Sequence, residues 1–323
     1  MFPRIDPPPA LLAIADQQDG VLRHDQVLEH LGRTPLRRML SRGEVTRITP
    51  GIYLLATNTP TVEQRGRAGI LLGGDGVALG GRAALHLAGL ERAPDDIDVW
   101  VPPGRRIKDR PGWTFRQDGC GRLAQTLGSL PRIRLEEALI DVGSGCDVEE
   151  WVTLLAEATR VGKVAVPEVV RRLEGRYRLP QRRMLREVAL DLQGIESTLE
   201  WVYRRDVERA HGLPEGQRQV RTAGHWKCDV RYPPLRTDAR PFIVEIDGRL
   251  HLKRVFRDLE RDNDHALRDE ATVRYGSVDL RGRPCRVAWQ VGGALFRRGH
   301  PLPVPCPRCP GPGSTRRWAG LDA

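Results

Sequence analysis

One acid, Glu245, sits inside the apolar run Phe242-Ile243-Val244-Glu245-Ile246. Bounded by polar and proline-rich sequence, the run reads as a buried strand. A carboxylate is costly there unless something pairs with it. A fold built on this strand must therefore bring a partner to the middle of a core element. Two further acids are candidates to share the place. Asp229 follows Cys228 at the start of another strand-like run, and Glu196 opens the amphipathic segment that continues through Ser197-Thr198-Leu199-Glu200. Hard divalent cations prefer carboxylate oxygens, and Mg²⁺ takes one or two carboxylates plus phosphate oxygens. Three carboxylates converging at one strand edge would make a metal site for phosphodiester cleavage.

The order and spacing of these pieces resemble the PD-(D/E)XK nuclease superfamily, in the branch related to very-short-patch repair endonucleases. The resemblance covers roughly residues 191–290. It rests on Glu196-Ser197-Thr198-Leu199-Glu200, Cys228-Asp229-Val230, Val244-Glu245-Ile246-Asp247-Gly248, His251, and Arg257-Asp258-Leu259-Glu260-Arg261-Asp262-Asn263. It implies a restriction-endonuclease-like α/β sandwich ordered helix, three strands, helix, strand. Gln217 to Thr222, Trp226 to Tyr232 and Phe242 to Asp247 would be the three strands, and Val273 to Val278 the last. It also implies that Glu196, Asp229 and Glu245 hold Mg²⁺ or Mn²⁺, with Asp247 or His251 orienting or deprotonating a water. Asp247 stands where the superfamily places lysine, so the general base is unassigned. Taken alone, Glu-x-Asp-Gly is also an ordinary strand followed by a turn.

Composition points toward polyanions. The formal net charge is +10 over 323 residues, and the excess is almost all arginine, since the lysines are Lys108, Lys163, Lys227 and Lys253 alone. Such an excess favours nucleic acid as a partner. The six cysteines are sparse, which excludes a secreted disulfide framework. No apolar run approaches a membrane span, and no apolar stretch follows the proline-rich start. The expected compartment is the cytoplasm, with no membrane partner.

Residues 1–57 show a second pattern. Leu11, Leu12 and Ala15 share a helical face. Asp25 can cap a helix bearing Val27, Leu28 and Leu31, which Gly32 ends. Thr34 and Pro35 can start a third helix that buries Leu36, Met39 and Leu40, shows Arg37, Arg38 and Arg42 outward, and ends at Gly43. Glu44 to Thr49, Pro50-Gly51 and Ile52 to Leu55 read as a hairpin. Three helices and a hairpin is the order of a winged helix, whose third helix enters the major groove and whose wing, here carrying Arg47, touches the backbone. The arginine face also reads as a solvated helix surface. The stretch Gly43 to Tyr53, with Arg47 and Pro50-Gly51, resembles the N-terminal domain of AbiEi-type antitoxins. That implies DNA as a partner and a toxin, or another neighbouring-gene product, as a possible second one.

The expected fold class is multidomain α+β: a winged helix at 1–57, an AbiEi-like α/β linking segment at 58–190, the nuclease-like sandwich at 191–290, and a Pro/Gly/Arg-rich tail at 291–323. In the linking segment the glycines at 73, 74, 76, 80 and 81 lack a phosphate-loop lysine and read as turns. His86 reads as a packed histidine. Arg171, Arg172, Arg176, Arg178, Arg182, Arg183 and Arg186 read as a solvated linker face, with phosphate tracking as the other reading. Cys306 and Cys309 have the spacing of half a zinc knuckle. His300 and Cys285 are the nearest further candidates, without convincing spacing, so a disordered tail is expected in place of a zinc site. Two functions follow: a DNA-binding protein with a metal-dependent endonuclease-like domain, or a non-catalytic antitoxin-like regulator with a degenerate one.

Overall fold

The computed structural model describes residues 6–192, 197–221, 227–247 and 270–321, with Asp247 described by its backbone alone. The chain divides into two compact units, residues 1–147 with 162–186 and residues 148–161 with 187–323.

The first unit opens with α1 (Pro9–Gln17), β1 (Val21–Arg23), α2 (His24–His30) and α3 (Arg33–Ser41). The hairpin β2 (Thr46–Thr49) and β3 (Ile52–Leu54) follows, turning at Pro50-Gly51. The helix starts differ from the expected caps. Arg23 donates its backbone N–H to Gln26 Oε1 at 2.9 Å, so α2 begins at His24, and Asp25 pairs with Arg23 instead of capping. Gly32, at φ 85°, precedes α3, which leaves Thr34 and Pro35 inside the first turn. β1 was not expected. It pairs antiparallel with β3, so the hairpin belongs to a three-stranded sheet of order β1-β3-β2.

That sheet is apolar on both faces. Leu22 and Tyr53, opposite each other, pack with Leu11, Val27, Leu36, Met39 and Val45 beneath the helices. Val21, Leu54 and Ile52 point the other way, into a core shared with Val62, Ala68, Val77, Leu79, Ile97, Val99 and Trp113. A boundary at residue 57 would cut through this second core, so 1–57 and the segment after it are one packed body. Strand period two produces the arrangement directly.

The rest of the first unit is α4 (Val62–Gly73), β4 (Ala78–Leu79), α5 (Gly81–Leu87), β5 (Ile97–Val101), β6 (Trp113–Gln117) and α6 (Leu135–Gly143). After α7 (Val148–Arg160), which belongs to the second unit, come α8 (Val166–Glu174) and α9 (Arg182–Asp191), whose residues from Glu187 on belong to the second unit. The sheet runs β4-β5-β6, antiparallel then parallel. His86 is half-buried, with Nδ1 2.9 Å from the Glu91 carbonyl. The basic stretch is solvated at Arg171, Arg178 and Arg183 but not at Arg172 and Arg176. Arg172 meets Glu137 at 2.8 Å, and buried Arg176 bonds Glu137 and, at 2.5 Å, Asp141, fastening the end of α8 to α6. Arg171 pairs with Glu168 and Arg186 with Glu174. These guanidiniums are engaged within the protein.

In the second unit α10 (Thr198–Val202), capped by Ser197, continues without interruption through a π-helical stretch, Tyr203–Glu208, and a 3₁₀ turn, Arg209–His211. β7 (Gln217–Arg221), β8 (Lys227–Tyr232) and β9 (Phe242–Asp247) form an antiparallel meander, and β10 (Ala271–Gly276) adds parallel to β9. The order is β10-β9-β8-β7. The helical run docks through Glu208, which is 1% exposed. Its carboxylate accepts from Arg218, from the Gly216 backbone N–H, and from the Tyr232 hydroxyl at 2.5 Å. Burial raises the Glu208 carboxyl above its usual range, against the pull of Arg218.

The tail is packed, contrary to expectation. Residues 291–296 belong to α12 (Pro284–Phe296), which follows α11 (Ser277–Gly282), and α13 (Pro312–Trp318) lies on it. A Cβ at Gly293 would fall 2.1 Å from the Ala319 carbonyl oxygen, and one at Gly292 2.0 Å from Pro303 Cγ. Only glycine allows chain segments to approach so closely.

Leu54→Ala is expected to cost about 2–5 kcal/mol in urea unfolding of the full chain, the usual range for a buried leucine. An isolated 1–57 fragment, which exposes Val21, Ile52 and Leu54, is expected to lack a cooperative transition. In the second unit Glu208→Ala strands a buried guanidinium and is expected to cost about 3–5 kcal/mol, with Tyr232→Phe costing nearer 1 kcal/mol.

Candidate functional site

The DNA-facing candidate is built on α3. Leu36 and Met39 are buried at 4% and 3%, three residues apart on one face. Arg37, Arg38, Ser41 and Arg42 are exposed on the other. Arg42 lies 3.8 Å from Glu44, and Ser41 Oγ donates to the Arg38 carbonyl. Arg47 is exposed on β2, opposite Tyr53, set back from the Pro50-Gly51 tip. Arg110 donates to the Pro50 carbonyl at 2.9 Å and braces the hairpin turn. All four predicted DNA-contacting arginines thus lie on the surface of one small substructure. Nothing in the local sequence of 1–57 announced the Arg110 brace.

A broad polar cleft of about 1400 Å³ also opens in this unit, beside Asp98, Arg116, Arg122 and Arg176. Several of its charges are paired: Arg116 with Asp98 at 2.8 Å, and Arg122 with Asp141 at 2.7 Å while stacked over Trp100. Cys120 lines it too, its thiol raised by burial.

Of the predicted metal ligands, the described residues include two. Glu245 is 3% exposed on the central strand β9. Asp229 is half-buried on β8, one residue beyond the registered pair Val230–Val244, and its Oδ2 accepts the Ile246 backbone N–H at 2.7 Å. The two acids therefore stand on adjacent strands, close enough to act on one thiol. Burial first, then the charge of Glu245 and more weakly that of Asp229, push Cys228 up to about 11. Glu196, His251 and the Arg257–Asn263 stretch lie outside the described residues, as does the side chain of Asp247.

Elsewhere among the described residues of this unit the structure gathers His211, Cys285, Cys306 and Cys309, whose ligand atoms all lie within 4.8 Å of one another. Of the two nearest candidates in sequence, Cys285 joins the cluster, whereas His300 is placed with Nε2 2.9 Å from the Pro233 carbonyl. His211 was missed because it lies 98 residues before Cys309. Burial pushes its imidazole below the usual range.

Residues 9–56 match a family described as "Transcriptional regulator, AbiEi antitoxin". The matched stretch runs from the start of α1 through the end of the hairpin, and its three helices and hairpin are consistent with a winged helix. No curated protein matches the chain. Among the described residues, no helix is long and apolar enough to cross a membrane.

Asp229 offers a clean probe of its own charge. Asn keeps an acceptor for the Ile246 N–H, so Asp229→Asn is expected to change stability by less than about 1 kcal/mol, whereas Asp229→Ala leaves a part-buried donor unmet and costs about 1–3 kcal/mol. Thermal unfolding of the two variants side by side reads the difference.

Proposed function

We propose that the chain is a DNA-binding regulator of the AbiEi-antitoxin kind, reading duplex DNA with α3 and the β2–β3 hairpin, and that its second unit is a metal-dependent endonuclease-like domain. The observation that carries the first half is the exposed Arg37, Arg38 and Arg42 face, held in place by buried Leu36 and Met39, inside the stretch that matches the regulator family. In a major groove these arginines would meet guanine edges or phosphates, and Arg47 on the wing would meet the backbone. The net charge of +10 acts in the same direction.

The second half is supported by the acids of the mixed sheet. Asp229 and Glu245 stand on neighbouring antiparallel strands, and the strand beyond Glu245 is parallel, which fits the strand order implied by the nuclease resemblance. With Glu196, these carboxylates would hold Mg²⁺ or Mn²⁺, which supplies Lewis-acid stabilisation of phosphate and a more acidic bound water. Asp247 or His251 would then orient or deprotonate that water. The competing reading keeps the sheet as a scaffold only, for DNA or for a toxin partner.

Two measurements separate the parts. In full-length protein, Arg37→Ala/Arg38→Ala/Arg42→Ala is expected to weaken duplex binding at unchanged helical circular dichroism. The slope of log K against log salt should fall by about 2–3 if all three meet phosphates. Unchanged affinity removes α3 as the reader. For the second unit, supercoiled plasmid should be nicked with Mg²⁺ or Mn²⁺, be spared with EDTA, and be spared by Asp229→Asn. Protein that binds DNA yet leaves duplex, single-stranded and mismatched substrates intact, with Asp229→Asn behaving identically, leaves the non-catalytic regulator standing.

A further inference from the structure

The cluster at the far end of the helical run offers the atom types of a tetrahedral zinc site, all within 4.8 Å of one another. Cys285 Sγ lies 3.6 Å from Cys306 Sγ, and Cys306 Sγ lies 3.9 Å from Cys309 Sγ. Cys309 Sγ lies 3.4 Å from His211 Nε2. Zinc–sulfur bonds of about 2.3 Å and zinc–nitrogen bonds of about 2.0–2.1 Å at tetrahedral angles require edges of roughly 3.8 Å between sulfurs and roughly 3.5 Å between sulfur and nitrogen. The two sulfur–sulfur edges fall either side of their value, and the sulfur–nitrogen edge is slightly shorter than its own. They are far longer than the roughly 2.05 Å of a disulfide.

Surrounding groups prepare the ligands. His211 is fully buried, and its Nδ1 sits 3.1 Å from the Val207 carbonyl. A carbonyl can only accept, so Nδ1 carries the hydrogen and the Nε2 lone pair faces the sulfurs. This is how carbonyl partners orient histidines bound to zinc. The Trp289 indole N–H donates to Cys309 Sγ at 3.5 Å, a contact that fixes the sulfur in place. Cys309 N–H closes a turn onto the Cys306 carbonyl at 2.9 Å, setting the two-residue spacing of a knuckle.

We infer that His211, Cys285, Cys306 and Cys309 bind one structural zinc ion, which fastens the C-terminal segment to the end of the helical run. Three S–H groups ionise on binding, their protons pass to solvent, and His211 binds as neutral imidazole. The segment is already led to this place. Val304 N–H donates to the His211 carbonyl at 2.8 Å, and Gly292 and Gly293 let residues 303 and 319 lie directly on α12. The ion would close a loop from residue 211 to residue 309 that includes the whole sheet, so it belongs to the stability of the second unit and not to any step of phosphodiester chemistry.

The test is metal content and ligand-field spectroscopy of the full chain. Protein purified under reducing conditions from zinc-supplemented cells should carry about one zinc per chain, the stoichiometry of a closed Cys₃His site. Cys285→Ser and His211→Ala should each lower that content, while Cys228→Ser and Cys146→Ser, outside the cluster, keep it. If the cluster variants fail to fold, wild-type protein exchanged with Co²⁺ still decides, because a tetrahedral thiolate site gives sulfur-to-cobalt charge-transfer absorption and intense visible bands. Chelation should open residues 297–311 to limited proteolysis. Zinc-free purified protein without cobalt–thiolate absorption, or cysteines of the cluster found paired in a disulfide, would overturn the proposal.

Discussion

The first unit depends on a three-stranded sheet that is buried on both sides. Leu22 and Tyr53 close one core and Val21, Ile52 and Leu54 close the other. Neighbouring residues of one strand thus belong to different cores, and neither core can loosen without disturbing the sheet. α3 rests on the first of these cores through Leu36 and Met39. Its arginine face is therefore carried by a platform anchored from behind, which limits the reorganisation that DNA binding must offset. The Arg110 bond to the Pro50 carbonyl extends the same anchoring to the hairpin turn.

In the second unit the corresponding role falls to buried polar groups. Glu208 gathers Arg218, Tyr232 and the Gly216 N–H into one network beneath the helical run. At the end of that run His211 turns toward three sulfurs. The Glu208 network holds the helix against the sheet that carries Asp229 and Glu245, and the cluster brings the C-terminal segment to the end of that helix. The placement matters for the proposed chemistry, because acids on adjacent strands share an ion only if the strands keep their register.

What the sequence made legible was local. Pro50-Gly51 marks the hairpin turn and Gly32 separates α2 from α3, each through backbone preferences that act within a few residues. The Phe242–Asp247 run was legible because a continuous apolar stretch of strand length has few other uses. β1 escaped notice since three residues carry no periodicity, and with it went the two-faced sheet and the true extent of the first unit. Arg176 looked like one of several solvated arginines because its partners, Glu137 and Asp141, lie 39 and 35 residues away. The packed tail was hidden for a related reason. Proline and glycine richness suggests disorder, but here the glycines lie on α12 as contact points for the segment that follows.

The central claim is that α3, held by the two-faced sheet, is the element that meets DNA. A photo-crosslinking residue placed at Ser41, exposed on α3 beside Arg37, Arg38 and Arg42, tests it in the full chain without removing a charge. The account predicts a covalent adduct with duplex DNA that is suppressed by raising the salt and by unlabelled competitor. Retained duplex binding by the labelled protein, with no adduct at Ser41 under any salt, would contradict it.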